Sequence, residues 1–343
     1  MLAGSGPLEC YNQPFFLPKM KKISVIVPLY NEKDSLPFLY EELVSAVTGY
    51  SRDYELIFVD DGSTDGSFQL LRDLQDRDSR IRLVRLRRNF GKSAALSAGF
   101  RLAEGAIIVT IDADLQDRPS ELPKLLSKLE DGLDLVSGWK QPRRDPLRKR
   151  IPSRIFNFFT SILTGVPLHD INCGFKVYRR EVIEEIKVYG EMYRYIPVLA
   201  SYRGFVVGEV AVEHSPRKFG KSKFGASRFL GGFFDLMTVI MLTRYNKKPL
   251  HMFGVLGASL FVIGLLIEAY LSVGWFFGRW IGDRPAFILG VLFLIVGVQF
   301  IFFGLIGEMI AYSTRRDEDY SVREVVEADA GSVRKAPSSL LRR

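Results

Sequence analysis

Two different patterns of hydrophobic residues divide the chain at about residue 249. Before it, short and nearly continuous apolar runs alternate with stretches whose apolar residues recur at helical spacing. Strands of a parallel sheet give such short runs, because helices cover both of its faces. The first half therefore predicts an α/β fold with strands at 23–27, 55–59, 81–86 and 106–111, and helices at 36–47, 67–77 and 92–103.

After Pro249 the chain contains two long stretches that are almost wholly apolar, at about 250–273 and 286–312. Each contains one carboxylate, Glu268 in the first stretch and Glu308 near the end of the second. About 20 apolar residues in a helix are enough to cross the hydrocarbon core of a bilayer. We therefore predict two C-terminal transmembrane helices. Two buried helices of a soluble domain are the alternative.

The basic residues around these two stretches predict the orientation of the protein in a membrane. Cations are denser outside the pair than in the connecting loop, and loops rich in Lys and Arg stay on the cytoplasmic side. We therefore expect a multi-pass inner (plasma) membrane protein with its large domain and its tail in the cytoplasm. The outer cations are Arg244, Lys247, Lys248, Arg315 and Arg316, and the loop contains Arg279, Asp283 and Arg284.

Changes in composition along the chain predict five segments. Residues 1–20 form an N-terminal extension that lacks the charged and apolar regions of a secretory signal. Residues 21–225 contain the α/β domain, 226–249 a juxtamembrane amphipathic segment, and 250–314 the two transmembrane helices. The charged tail at 315–343 has the composition of a disordered segment.

Net charge and cysteine content narrow the class of protein. A net charge of +8 suits a partner that is an anionic membrane surface or a phosphorylated substrate. The sequence has no zinc-finger spacing and no sustained basic helix, so we expect no nucleic-acid partner. Its two cysteines, Cys10 and Cys173, form no CxxC pair, which predicts no disulfide framework and fits a reducing compartment.

Asp112 and Asp114 directly follow the fourth predicted strand, within the sequence DADLQD. Two carboxylates on alternate residues can turn toward one hard cation, and Gln116 lies just beyond them. A divalent ion here would bridge the diphosphate of a nucleotide and neutralise the leaving group. The alternative is a solvated acidic turn, since Asp is common in loops.

Asp60 and Asp61 end the second predicted strand, at the sheet edge where ligands of open α/β sheets bind. Such carboxylates can accept hydrogen bonds from a base or a ribose, and the alternative is a simple turn and helix cap. The GKS sequence around Lys92 imitates the end of a P-loop, but Leu86 stands where that motif requires a glycine. Lys92 is still a candidate phosphate ligand at a helix N-terminus.

Two basic segments are candidates for binding phosphate groups. Residues 140–154 combine cations with prolines and continue into the apolar sequence IFNFFTSILTG, which suits a lipid headgroup and its chain. Residues 214–224 read HSPRKFGKSKF and form a flexible cationic loop that suits a diphosphate. The alternatives are a solvated charged face for the first segment and attraction to anionic lipid for the second.

Six short motifs along the chain, taken together, resemble those of a known enzyme family. They are PLYNE, DDGSTDGS, DADLQD, NCGFK, MYRYIP and HSPRKFGKSKFG. As a set they resemble the family-2 inverting glycosyltransferases with the GT-A (Rossmann-like) fold, of the dolichol-phosphate mannose synthase and bacterial polyprenyl-phosphate glucosyltransferase type. The two apolar stretches after residue 249 match the bacterial form.

The resemblance implies a nucleotide-sugar donor and a divalent metal, Mg²⁺ or Mn²⁺. Arg217 would bind the donor diphosphate. The residues implied around the base and ribose are Pro28, Tyr30, Glu32 and Asp60, with Asp61 and Lys92 as candidates from the sequence pattern. The implied metal ligands are Asp112, Asp114 and Gln116.

The resemblance also implies a polyprenyl phosphate as acceptor. Asp170 matches the position proposed as the base in bacterial members. A phosphate monoester has a second pKa near ~6 and is largely anionic at neutral pH, so orienting the acceptor is the alternative role of Asp170. Lys140 departs from the Arg that the family often has in a GSR-like motif. The candidate ligands of the acceptor phosphate are Lys140, Lys149, Arg150 and Ser153.

These assignments predict the inverting transfer of a single hexose to an undecaprenyl phosphate-like lipid, which would serve as a donor for cell-envelope glycosylation. We expect UDP-glucose as the sugar donor, with GDP-mannose as the alternative. The rival functions are a processive polysaccharide synthase and a catalytically silent nucleotide-binding scaffold. The synthase usually has a QxxRW segment, whereas this chain has Phe276 before its Arg279-Trp280 pair. A homo-oligomer is compatible with the sequence.

Overall fold

A computed structural model describes residues 22–141, 147–186, 192–216, 227–245, 248–282, 284–313, 325–326 and 333–334. The chain divides into two compact units. The first contains the described residues of 1–146, 172–190 and 208–221, and the second contains those of 147–171, 191–207 and 222–343. The α/β domain predicted at 21–225 therefore contributes residues to both units.

A mixed seven-stranded sheet forms the centre of the first unit, with strand order β3-β2-β1-β4-β6-β5-β7. Strands β1 to β4 lie where the hydrophobic pattern predicts them and pair in parallel. β6 is antiparallel to both of its neighbours, β4 and β5. The strands are β1 Ile23–Leu29, β2 Tyr54–Asp60, β3 Ile81–Arg85, β4 Ile107–Thr110, β5 Leu135–Lys140, β6 Lys176–Arg179 and β7 Val207–Val212.

Ten α-helices, two short 3-10 helices (Pro119–Glu121 and Met192–Tyr195) and two short additional strands complete the described elements. In the first unit, α1 buries one face, Leu36, Leu39, Leu43 and Val47, at the helical spacing that its sequence shows. The helices are α1 Leu36–Thr48, α2 Ser67–Gln75, α3 Lys92–Leu102, α4 Leu122–Glu130, α5 Leu147–Thr164, α6 Arg180–Glu185, α7 Ile196–Tyr202, α8 Ser227–Arg244, α9 Pro249–Phe276 and α10 Pro285–Ser313, and the strands are β8 Val325–Val326 and β9 Val333–Arg334.

The two central strands explain the near-continuous apolar runs in the sequence. All seven residues of β1 and all seven of β2 are buried, because neighbouring strands and helices cover them on every side. The one carboxylate near the start of β2, Glu55, accepts hydrogen bonds from Ser24 Oγ at 2.6 Å and Arg82 Nη1 at 2.9 Å. Although burial opposes it, this hydrogen bonding lowers the pKa of Glu55 and makes the carboxylate a structural anchor.

The second unit contains a smaller hydrophobic cluster, to which α5, α7 and α8 contribute. Tyr195 is fully buried there and donates its hydroxyl hydrogen bond to the Gly232 carbonyl at 2.9 Å. Other large apolar side chains of α5 and α8 are exposed, among them Phe158 at 62% and Phe234 at 65%. Exposed apolar surface of this kind marks a site of association with a protein or a membrane.

The two long apolar stretches form single helices, α9 and α10, of 28 and 29 residues. Their most apolar windows have mean hydropathies of 2.2 and 2.7, and only 11% of each window is buried. A core helix of a soluble protein is mostly buried, so this exposure argues against the soluble alternative. The helices pack closely on each other, since a Cβ atom at Gly257 would lie 2.6 Å from the Gly297 carbonyl oxygen.

Candidate active site

The carboxyl ends of β1, β2 and β4 carry the polar segments that the sequence singles out. Leu29 at the end of β1 pairs with Asp60 at the end of β2, and β4 lies on the other side of β1. Asp112 follows β4 after one residue. The strand order therefore places these segments at one edge of the sheet, where ligands of open α/β sheets bind.

The segments after β1 and β2 are hydrogen-bonded to each other. The Asn31 amide donates to Ser63 Oγ, and the Thr64 amide donates to Asn31 Oδ1, both at 2.8 Å. The Glu32 amide donates to Ser67 Oγ at 3.1 Å. Pro28 is buried within β1, and Tyr30 just after it is partly exposed. The predicted base and ribose ligands therefore lie at the ends of β1 and β2 and in the loop after β1, which is hydrogen-bonded to the loop after β2.

Asp60 and Asp61 differ in how their oxygens are used. Asp60 is fully buried; its Oδ1 accepts from the Ser63 amide at 2.8 Å, and its Oδ2 lies 3.5 Å from Arg85 Nε. Asp61 accepts from the backbone amide of Phe90 with Oδ1 at 2.7 Å and from that of Gly91 with Oδ2 at 2.8 Å. Burial outweighs these two hydrogen bonds and raises the pKa of Asp61. Asp61 thus holds the loop before α3 with both oxygens, which the sequence pattern did not predict.

Lys92 is the first residue of α3, and its Nζ forms an ion pair with Asp112 Oδ1. Both side chains are partly exposed, at 24% for Lys92 and 30% for Asp112. Burial opposes ionisation, but the charges of Lys92, Lys140 and Lys176 outweigh it and lower the pKa of Asp112. The positive charges of these lysines therefore favour the charged form of the first carboxylate of the DAD sequence.

The turn that carries Asp112 and Asp114 fits a divalent metal. Asp114 Oδ1 accepts from the Gln116 amide at 3.2 Å, and the intervening Leu115 has the left-handed φ of +57°. Gly174 packs against Asp112, so a Cβ atom at 174 would overlap the carboxylate. Carboxylate oxygens suit Mg²⁺ and Mn²⁺. Among the described residues, no group of three or more His, Cys, Asp or Glu side chains that could hold a metal ion is found.

The start of the second basic segment is attached to this turn. Asp117 and His214 form an isolated antiparallel bridge, and the Ser215 amide donates to the Gln116 carbonyl at 2.9 Å. His214 is buried, with Nδ1 3.2 Å from the same carbonyl oxygen. Arg217, the predicted diphosphate ligand, lies outside the described residues, as do 218–226. The bridge nevertheless places the beginning of its segment beside the two carboxylates.

Lys140, a candidate ligand of the acceptor phosphate, lies in a largely buried ion pair. It ends β5, and its Nζ lies 2.9 Å from Asp117 Oδ1, with the two side chains 13% and 0% exposed. Although burial opposes it, the charge of Asp117 raises the pKa of Lys140. Removing one partner of a buried ion pair leaves an uncompensated charge. Lys140 would have to leave this pair before it could bind an acceptor.

The remaining acceptor candidates belong to the second unit. Lys149 and Arg150 lie on α5, but their side chains are outside the described residues, and Ser153 on the same helix is partly exposed. Asp170 is buried in the loop after α5. The Asn157 side chain donates to the neighbouring His169 carbonyl at 2.7 Å, so α5 holds the loop that carries Asp170.

Comparison with known proteins identifies the family. The sequence model of glycosyl transferase family 2 matches residues 24–187. A dodecaprenyl-phosphate galacturonate synthase of Rhizobium johnstonii is 41% identical over 331 residues, which cover 93% of this chain and 96% of that protein. The chain belongs to glycosyl transferase family 2. An undecaprenyl-phosphate 4-deoxy-4-formamido-L-arabinose transferase of Yersinia pestis is 35% identical over 316 residues, 90% of this chain and 95% of that protein.

Solved structures confirm the fold of this glycosyltransferase. Glucosyl-3-phosphoglycerate synthase of Mycobacterium tuberculosis, in complex with phosphoglyceric acid, superposes with a TM-score of 0.50 at 20% identity, over 65% of this chain and 80% of that one. The same enzyme in complex with Mn²⁺ and UDP-glucose also gives 0.50 at 20% identity, over 65% and 79% of the two chains. The predicted GT-A fold, followed by two apolar helices, is confirmed.

Proposed function

We propose that this glycosyltransferase moves one sugar from a nucleotide-sugar to a polyprenyl phosphate at the surface of a membrane. The observation that carries the proposal is the paired Asp112 and Asp114 at the sheet edge, joined by the Asp117–His214 bridge to a basic segment. The two relatives, similar over at least 90% of this chain, are named for polyprenyl phosphates as acceptors. The helices α9 and α10 and the exposed side chains of α5 supply the membrane contact.

We further propose that the donor sugar carries a carboxylate. The relative that is 41% identical is named for galacturonate, a hexuronic acid. Three lysines, at 92, 140 and 176, contribute positive charge around Asp112, which suits a donor with one more negative charge than a neutral hexose. Neither relative is named for glucose or mannose, so the expected donors UDP-glucose and GDP-mannose are not confirmed.

In the proposed mechanism the residues of this chain bind and orient two phosphate-bearing substrates. Asp60 and the loop of Tyr30 and Glu32 hold the base and ribose. Asp112 and Asp114, with Gln116, would hold Mg²⁺ or Mn²⁺, which supplies positive charge to the leaving diphosphate when bound. Arg217 adds a guanidinium to that diphosphate, and Lys92 exchanges its contact with Asp112 for a phosphate oxygen.

The acceptor phosphate oxygen attacks the anomeric carbon from the face opposite the diphosphate, so the configuration inverts in one displacement. Lys149, Arg150 and Ser153 bind that phosphate, and Asp170 orients it. Because the phosphate is already anionic at neutral pH, no side chain has to remove a proton from it. The rate enhancement therefore comes from positioning and charge stabilisation.

We propose that the catalytic domain lies on the cytoplasmic side of the inner membrane. The basic residues of α5 precede its exposed apolar residues Phe158, Phe159 and Ile162, an order that suits an anionic headgroup region followed by acyl chains. Arg244 at the end of α8 donates from Nη1 to the Leu163 carbonyl at 3.3 Å, which links α8 to α5.

Neutralising Lys149 and Arg150 together, as Lys149→Gln and Arg150→Gln, is expected to raise the KM for the polyprenyl phosphate about tenfold, because two cations at its phosphate are lost. The KM for the nucleotide-sugar should change less than twofold. Steady-state kinetics in nanodiscs would measure both. The matched control is Arg72→Gln with Arg77→Gln. These are two exposed cations of the first unit, one on α2 and one just after it, and their loss should change neither KM. A larger effect on the donor than on the lipid would contradict the acceptor role.

A donor panel tests the proposed function directly. Purified enzyme, undecaprenyl phosphate and Mn²⁺ would be incubated with UDP-galacturonic acid, UDP-glucuronic acid, UDP-glucose or GDP-mannose. We expect one uronic acid per lipid from a UDP-hexuronic acid, as an acid-labile glycosyl phosphate, with at least tenfold lower kcat/KM for the neutral sugars. Preference for a neutral sugar would contradict the donor class. A ladder of saccharides would indicate a processive synthase, and turnover without lipid would contradict the acceptor class.

A further inference from the structure

The loop between β3 and α3 is attached to the end of β2 at both of its ends. At its start, the Leu86 amide donates to the Asp60 carbonyl at 2.8 Å. At its end, the amides of Phe90 and Gly91 donate to the two carboxylate oxygens of Asp61, at 2.7 and 2.8 Å. Asp61 is only 4% exposed, so its carboxylate has little surface left for direct contact with a ligand.

The middle of this loop also packs against the end of β2. A Cβ atom at Gly62, the residue after Asp61, would lie 2.6 Å from the Arg88 carbonyl carbon, which is too close for any side chain. Asp61 is itself fixed to the sheet, because its amide donates to the Leu29 carbonyl of β1 at 2.9 Å. Hydrogen bonds and close backbone packing therefore hold the loop at the edge of the sheet.

Gly91 connects this attachment to the first turn of α3. Its amide is bound by Asp61, while its carbonyl accepts from the Ala94 amide at 3.1 Å. The first residue of that turn is Lys92, whose Nζ forms the ion pair with Asp112. The carboxylate of Asp61 therefore fixes the backbone from which the Lys92 side chain extends.

Lys92 is the most exposed of the three lysines whose charges act on Asp112. Lys140 is largely buried in its ion pair with Asp117. Lys176 is 2% exposed and donates to a backbone carbonyl. Lys92 is 24% exposed, so of the three it is best placed to reach a phosphate group of a bound donor.

We propose that Asp61 is a positioning residue, which holds the first turn of α3 so that Lys92 meets the donor diphosphate. The inference rests on the proposed function, because it assumes a nucleoside diphosphate beside Asp112. It assigns the Asp61 carboxylate to the loop instead of to the base or ribose, for which the sequence made it a candidate. Displacing a catalytic charge by about 1 Å can lower a rate on the order of 100-fold, so a residue that touches no substrate can still control the rate.

The experiment compares wild-type protein with Asp61→Asn in the full-length chain in nanodiscs. Asparagine keeps the shape of aspartate but presents an NH₂ group to one of the two backbone amides, so one hydrogen bond is lost. We expect the variant to bind UDP with Mn²⁺ at least fivefold more weakly in calorimetry, and to show at least a tenfold higher KM for the nucleotide-sugar. The KM for polyprenyl phosphate should stay the same. Partial unfolding alone would lower the amount of active enzyme and leave both KM values unchanged.

A double-mutant cycle separates positioning from direct contact with the nucleotide. If Asp61 acts through Lys92, Asp61→Asn should weaken UDP binding less than twofold in a Lys92→Met background. Additive effects of the two substitutions would overturn the inference. If Asp61→Asn does not fold, Gly62→Ala is the test, because its Cβ atom would push the loop away from β2 while Asp61 is retained. It should repeat the loss, and wild-type UDP affinity in this variant would contradict the inference.

Hydrogen exchange locates the effect within the chain. The amides of residues 90–95 should exchange faster in Asp61→Asn than in the wild type, because the first turn of α3 has lost part of its attachment. Weaker UDP binding with unchanged exchange of these amides would mean that Asp61 contacts the nucleotide directly, which would also overturn the inference.

Asp78→Asn is the matched control. Asp78 is 6% exposed and accepts from the Arg80 amide at 3.0 Å, so it too is a buried carboxylate bound to the backbone. It precedes β3 and therefore lies at the opposite edge of the parallel strands from Asp61. This variant should bind UDP like the wild type. If wild-type protein binds no nucleoside diphosphate, the proposed function is wrong. If wild type and Asp61→Asn bind UDP equally well, only the role of Asp61 is wrong.

Discussion

Asp112→Asn is expected to lower kcat/KM at least about 1000-fold while the protein remains folded. The substitution replaces a charged metal ligand by a neutral amide, and metal and charge stabilisation at a leaving group contribute several kcal/mol. A loss of roughly 4 kcal/mol corresponds to that factor. The structure supports this role because Asp112 is partly exposed, nearby lysines lower the pKa of its carboxyl group, and Asp114 follows it in the same turn. Initial rates with the preferred donor and undecaprenyl phosphate would measure the effect.

Metal removal should reproduce this loss and be reversible. EDTA treatment should abolish transfer, and added Mg²⁺ or Mn²⁺ should restore it in the wild type but not in Asp112→Asn. Asp131→Asn is the control, since Asp131 is an exposed carboxylate in a surface ion pair, and should keep wild-type activity. An unchanged thermal midpoint for Asp112→Asn would show that the fold is intact. Full transfer by metal-stripped enzyme would mean that Asp112 and Asp114 do not act through a metal.

Gly174→Ala is expected to lower kcat/KM about 100-fold, although Gly174 has no functional side chain of its own. A Cβ atom at this position would overlap the carboxylate of Asp112, so the carboxylate would have to move. Catalysis that depends on positioned groups is sensitive to displacements of about 1 Å. The NCGFK motif thus contributes a close approach between the segment just before β6 and the Asp112 carboxylate. Steady-state kinetics and calorimetry with Mn²⁺ would test this. We expect kcat/KM and the affinity for Mn²⁺ to fall together.

Gly49→Ala serves as the control for Gly174→Ala. Gly49 ends α1 with a helical φ of −65°, and a Cβ atom there would meet other atoms only at 3.6 Å, an ordinary contact distance. The Gly49 variant should therefore keep both its stability and its activity. If Gly174→Ala has the same kcat/KM and metal affinity as the wild type, the position of the Asp112 carboxylate does not matter for catalysis.

Local periodicity explains why so much of the fold can be predicted from this sequence. β1 and β2 are apolar along most of their length because they are buried on both faces, and α1 shows its buried face at helical spacing. The length and polarity of 250–273 and 286–312 likewise predict α9 and α10. Since parallel strands end at a common edge, the convergence of Asp60 and Asp112 follows from the strand pattern.

The sequence by itself thus determined the GT-A fold, the family and the acidic sheet edge, because motif order and apolar spacing are properties of neighbouring residues. Tertiary structure decided which charges meet. β6 runs antiparallel between β4 and β5, and this long-range pairing brings Gly174 and Lys176 toward Asp112. Packing also buries the ion pair of Lys140 with Asp117. Both carboxylate oxygens of Asp61 accept hydrogen bonds from backbone amides of the loop before α3. No spacing encodes these contacts, because their partners lie more than 20 residues apart and meet only when the sheet has formed.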